Sequence, residues 1–72
     1  MPKLPVLTSK QLVKKLQALG FQEDHQTGSH KVFYHPATGR RAVIPFHVKD
    51  LPKGTLLAIV REAGIDRNDL LK

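Results

Sequence analysis

The 72-residue sequence predicts one small α+β domain: a helix, three antiparallel strands, a second helix, and a short helical turn at the C-terminus. Three observations carry this expectation. Apolar residues recur at helical spacing in two stretches only, Leu12, Val13, Leu16, Leu19 and Leu56, Leu57, Ile59, Val60, Ala63. Between them, over residues 21–47, the helical period vanishes and three β-prone runs alternate with turn residues. Those turns are short enough to make each neighbouring pair of strands an antiparallel hairpin. With helices at both ends of a meander, the economical packing lays both on one face of the sheet and leaves the other to solvent.

Each element has its own local signals. Thr8 and Gln11 have the spacing of a capping box, so the first helix begins there, and Gly20 supplies its stop. Lys10, Lys14, Lys15 and Gln17 fall off the apolar stripe and give this helix a basic flank. Pro2 and Pro5 read as an extended lead-in. The three strand runs are residues 21–26, 29–35 and 40–47, joined by Thr27-Gly28 and by the Pro36-Ala37-Thr38-Gly39 turn. Pro45 marks the third as an edge strand or a closing one. Pro52 sits where a first helical turn tolerates it, and Gly64 ends the second helix. Asp66 is placed as the N-cap of a last helical turn over residues 66–71.

Strand alternation then assigns faces. A tight turn at residues 36–39 pairs Phe33 with Ala42 and His30 with Pro45. One face carries Phe33, Ala42, Ile44 and Phe46, and the other carries His30, Val32, Tyr34, Arg41, Val43 and His47. The opposite register would leave the large apolar groups in water at about 1.5–3 kcal/mol each. For the first hairpin, a three-residue loop with Gly28 in the left-handed region would set Phe21 beside Phe33 and Asp24 across from His30.

Composition narrows the functional classes. No cysteine is present, which removes disulfides and thiolate-bound zinc and favours a reducing compartment. No apolar run approaches the roughly 18 residues that span a bilayer, so a cytoplasmic protein without a membrane partner is expected. Twelve Lys and Arg against six Asp and Glu give a net charge of +6, which suits a polyanionic partner.

The segments "GSHKVFYHP" at residues 28–36, "VIPFH" at 43–47, "LPKGTLLAIVREAGI" at 51–65 and "LTSKQLVKKLQALGF" at 7–21 together resemble the HicA toxins, the YcfA-like family. The likeness runs over nearly the whole chain, as a single HicA-like domain over residues 1–72. It implies an αβββα fold similar to double-stranded-RNA-binding domains and an activity, ribosome-independent cleavage of messenger RNA. It also implies a HicB-type antitoxin that covers the active surface. The family's functional histidine lies in the Gly-Ser-His turn and carries over to His30. After Gly54-Thr55-Leu56, where the family often has a basic residue, this chain has Leu57 and Ala58, so its second helix is less cationic.

The residues can support that chemistry. RNA carries its own nucleophile, the 2′-hydroxyl, so cleavage needs a proton acceptor and positive charge for the phosphorane-like transition state. An imidazole serves the first need near neutral pH. By spacing alone His30 reads as a strand-start residue capping a turn, and the resemblance is what assigns it a catalytic role. Lys31, Arg40, Arg41 and Lys53 are the candidate phosphate contacts, with the amides of Gly28 and Ser29, or those of the second helix N-terminus, as neutral donors. His47 shares the expected face of His30, and Tyr34 offers a ring for base stacking, or, with Val32, a docking strip for the antitoxin. His35 is expected to serve its turn and His25 simply to be exposed. A catalytic zinc needs three protein ligands and few carboxylates stand near the imidazoles, so no metal and no cofactor is expected. The reading is a metal-independent endoribonuclease, monomeric when free. Its alternative is a non-catalytic RNA-binding module of the same fold.

Overall fold

A computed structural model describes residues 6–46 and 50–70 of the chain. The element order is α1 (Ser9–Ala18), β1 (Gln22–Thr27), β2 (His30–Tyr34), β3 (Arg41–Pro45), α2 (Lys53–Ala63) and α3 (Arg67–Leu70). The strands form one antiparallel sheet in the order β1-β2-β3, so the αβββα arrangement is as expected and β3, which ends on Pro45, is an edge strand. Pro2, Pro5, His47 and Leu71 lie outside the described residues.

The helix ends follow from their capping residues. Thr8 Oγ1 accepts from the Gln11 amide at 3.2 Å while Gln11 Oε1 accepts from the Thr8 amide at 2.9 Å, which closes the capping box of α1. At its other end the Gly20 amide donates to Gln17 O and the Phe21 amide to Leu16 O, a pairing that requires Gly20 at φ 102°. The α2 helix ends in the same manner, with Gly64 at φ 69° and the Ile65 amide on Val60 O. Asp66 caps α3 through its Oδ1, which accepts from the Asn68 amide at 3.1 Å.

The core fills the space between the two long helices and one sheet face. Leu12 and Leu16 of α1, Leu56, Ile59, Val60 and Ala63 of α2, and Leu70 of α3 pack with Phe33, Ala42 and Ile44 in a single buried cluster. The β2–β3 register pairs Phe33 with Ala42 and His30 with Pro45, as strand alternation required. Ser9, itself buried, donates its hydroxyl to Pro45 O at 2.5 Å and fixes the start of α1 to the end of β3. Phe46, expected in the core layer, is half-buried, and the Lys31 ammonium sits 4.1 Å above its ring.

The first hairpin differs from expectation. Its loop has two residues, Gly28 and Ser29, with positive φ only at Gly28, a conformation whose twist suits a hairpin. Thr27 therefore pairs with His30, and Asp24 does not. A bulge between Glu23 and His25 then inserts one residue, so Glu23 faces Phe33 and Gln22 faces Tyr34. Without it, two-residue alternation would turn Phe21 away from the helices. With it, Phe21 is buried and meets His35 rather than Phe33, ring centroids 5.1 Å apart and nearly perpendicular.

His35 is the bracket between α1 and the sheet. Its Nδ1 accepts from the Ala37 amide at 3.2 Å, which assigns the hydrogen to Nε2, and Nε2 donates to Leu19 O at 3.1 Å. The role in the turn expected for it is thereby met. A Cβ at position 20 would lie 2.8 Å from His35 Nε2. Gly20→Ala should thus cost about 1–3 kcal/mol by urea denaturation. Gly39→Ala, at φ 74° with nothing within 4 Å, should cost less.

Candidate functional site

The helices cover one face of the sheet and leave three rows of side chains on the other. Thr27, His30 and Pro45 stand in the first row, His25, Val32 and Val43 in the second, and Gln22, Tyr34 and Arg41 in the third. Val43, 38% exposed, shows that no layer lies over the middle of this face.

His30 heads the central strand, directly after the Gly28-Ser29 turn, and is exposed. Backbone pairing holds it from both sides: Thr27 on β1, Pro45 on β3, and the Phe46 amide on Ser29 O at 2.6 Å. The imidazole thus rises from a braced backbone into solvent. Tyr34, on the same strand and face, is half-buried and donates its hydroxyl to Gln22 Oε1 at 3.2 Å.

Of the four cations expected to hold phosphate, only Arg41 shares this face, with its side chain 57% exposed. Lys31 is one residue out of phase with His30 and turns to the helical side, where it pairs with Glu23 at 3.4 Å and covers Phe46. Arg40 is out of phase with Arg41 by the same rule. Its guanidinium packs against the end of α2, so close that a Cβ on Gly64 would lie 3.0 Å from its Nε, and a cation there suits the helix C-terminus. Arg40 and Phe21, His35, Gly64 and Asp69 line a groove of about 480 Å³ in that region. Lys53 opens α2 and is exposed in the helical layer. His47 lies outside the described residues.

Two residues of the open face had no place in the expected site. At the bulge, Asp24 Oδ2 accepts from His25 Nδ1 at 2.8 Å and from Arg41 Nη1 at 3.4 Å. In a regular strand, adjacent residues point to opposite faces, so Asp24 and His25 would not share one. The bulge brings them together, and nothing in the spacing of the residues announces a bulge. Among the described residues no group of three His, Cys, Asp or Glu side chains comes together that could hold a metal ion, and no helix is long and apolar enough to cross a membrane.

The cluster sets the charge of Asp24. The hydrogen bond from His25, ahead of that from Arg41, outweighs partial desolvation and holds the carboxyl below the ordinary aspartate value of 3.8. Because the folded value is the depressed one, the stabilisation is present above pH 3.8 and is lost as pH falls through the folded value. A carboxyl titration followed by NMR should place Asp24 below 3.8, and His25→Ala should raise it more than Arg41→Ala does. A wild-type midpoint at or above 3.8 would show that the cluster does not hold in solution.

No curated protein matched the chain in a sequence search. A family model did: that of the HicA toxin of bacterial toxin–antitoxin systems, over residues 9–65, which runs from the first residue of α1 through the end of α2 and takes in every strand. The match includes the His30 turn, the bulge and the glycines that end both long helices, Gly20 and Gly64, and the chain belongs to the HicA toxin family.

Proposed function

We propose that the chain is an endoribonuclease that cleaves messenger RNA without a metal ion, with His30 as general base or acid, and that a HicB-type antitoxin silences it by occupying the same sheet face. The observation that carries this reading is the position of His30: an exposed imidazole on a braced backbone, on a face that no helix covers. A ribose 2′-hydroxyl approaching this face meets a proton acceptor, and phosphates along the strand meet the turn amides at Gly28 and Ser29 beside His30 and Arg41 toward the other end of the face. Tyr34, tied by Gln22, offers its ring to a base nearby.

The same face serves inhibition. Val32, Val43 and Pro45 form a short apolar strip between His30 and Arg41, and a partner seated there excludes RNA by occupancy. The net charge of +6 favours an acidic surface on that partner and speeds its encounter with the toxin.

Purified protein incubated with a long RNA in EDTA should yield fragments, and His30→Ala, equally folded by circular dichroism, should lose at least about 100-fold in rate. A salt-sensitive mobility shift with no fragments from either protein would mean that the fold binds RNA and does not cut it. On the His30→Ala background, removing Arg41 should weaken RNA retention and lower the salt slope by about 1. Arg61→Ala, which alters an exposed cation of the helical layer, should leave both nearly unchanged.

A further inference from the structure

The bulge in β1 does more than bury Phe21. It places His25 opposite Val32 on β2, and His30 is two residues before Val32 on the same strand and the same face. The two imidazoles are therefore diagonal cross-strand neighbours, whose backbones stand about 7–8 Å apart. Backbones at that spacing on one face let the two rings reach opposite sides of a single phosphate group. His25 is also held. Asp24 Oδ2 takes the hydrogen of Nδ1 at 2.8 Å, and Arg41 Nη1 approaches the same oxygen at 3.4 Å, so Nε2 is the ring atom left to exchange a proton. The His25 side chain is 54% exposed, which leaves it open to a substrate.

Cleavage of an RNA linkage needs two proton transfers on opposite sides of phosphorus, and one histidine at one position supplies only one of them. We propose that His25, oriented by Asp24, is a second catalytic residue that protonates the departing 5′ oxygen while His30 takes the proton of the attacking 2′-hydroxyl. The proposal rests on the nuclease reading above. In the step, the 2′ oxygen bonds to phosphorus and its proton passes to His30. The bond from phosphorus to the 5′ oxygen breaks, and the electron pair left on that oxygen takes the Nε2 proton of protonated His25. The products are a 2′,3′-cyclic phosphate and a 5′-hydroxyl, with no oxidant, reductant or further co-reactant in the balance. Asp24 is a positioning residue: it holds the Nδ1 hydrogen and never meets the substrate.

The test uses two RNA substrates, one ordinary and one with sulfur in place of the bridging 5′ oxygen at the linkage the wild-type protein cuts. A thiolate leaves without being protonated. His25→Ala should lose at least about 100-fold on ordinary RNA and regain most of its rate on the sulfur substrate, whereas His30→Ala should be slow on both. Asp24→Asn should show a smaller loss that the sulfur substrate also relieves. The wild-type rate should be bell-shaped in pH, and His25→Ala should abolish the fall at high pH, with Asp24, Arg41, Tyr34 and His30 as the ionisable groups sharing its face. His25→Ala cutting ordinary RNA within about twofold of wild type, or losing as much on the sulfur substrate, would remove the role of His25 and leave that of His30 intact. Wild-type protein that leaves both substrates whole would remove the nuclease reading itself.

Discussion

The pairing of Phe33 with Ala42 across β2 and β3 is the constraint on which the rest of the molecule depends. Both are fully buried beneath α1 and α2, so neither can turn outward without exposing core surface. A strand has a period of two, and fixing Phe33 inward sends His30, Val32 and Tyr34 outward together. A register slip of one residue would bury His30 and Arg41 and expose Phe33 and Ile44. The hydrophobic core therefore aims the imidazole, although it never touches it.

The bulge at Asp24 plays the corresponding part on β1. Two demands meet on this strand: the two-residue turn at Gly28-Ser29 sets one phase, and burial of Phe21 against His35 sets the other. They differ by one residue, and one inserted residue reconciles them. Its by-product is a local break in alternation that gathers a carboxylate, an imidazole and, from β3, a guanidinium on the open face. A feature that serves packing thus also gathers polar groups on a face that no helix covers.

The histidines show how far neighbours decide the role of one side chain. His35 has both ring nitrogens engaged by backbone groups and a phenyl ring against it, so it joins α1 to the sheet. His25 has one nitrogen engaged by a carboxylate and the other open. His30 stands exposed at the strand head. Charge is likewise sorted by phase. Lys31 and Arg40 turn to the helical side, and the Arg41 that remains is shared with Asp24, so the open face carries less positive charge than the whole chain does.

The element order, the capping of all three helices, the β2–β3 register and the outward aim of His30 were legible in the sequence, because each rests on local spacing. Thr8 with Gln11, Gly20, Gly64 and Asp66 act within a few residues of themselves, and the alternation of Phe33, Ala42 and Ile44 admits one phase only. The first hairpin was not legible. Its loop length and its bulge are chosen jointly by the turn and by the contact of Phe21 with His35, fourteen residues away in the chain. The same long-range choice put His25 and Asp24 on one face. Short-range pattern determined which residues form strands and helices and which side of the sheet is wet; only the packing of distant segments decided which polar side chains meet there, because a contact between elements depends on the phase of both.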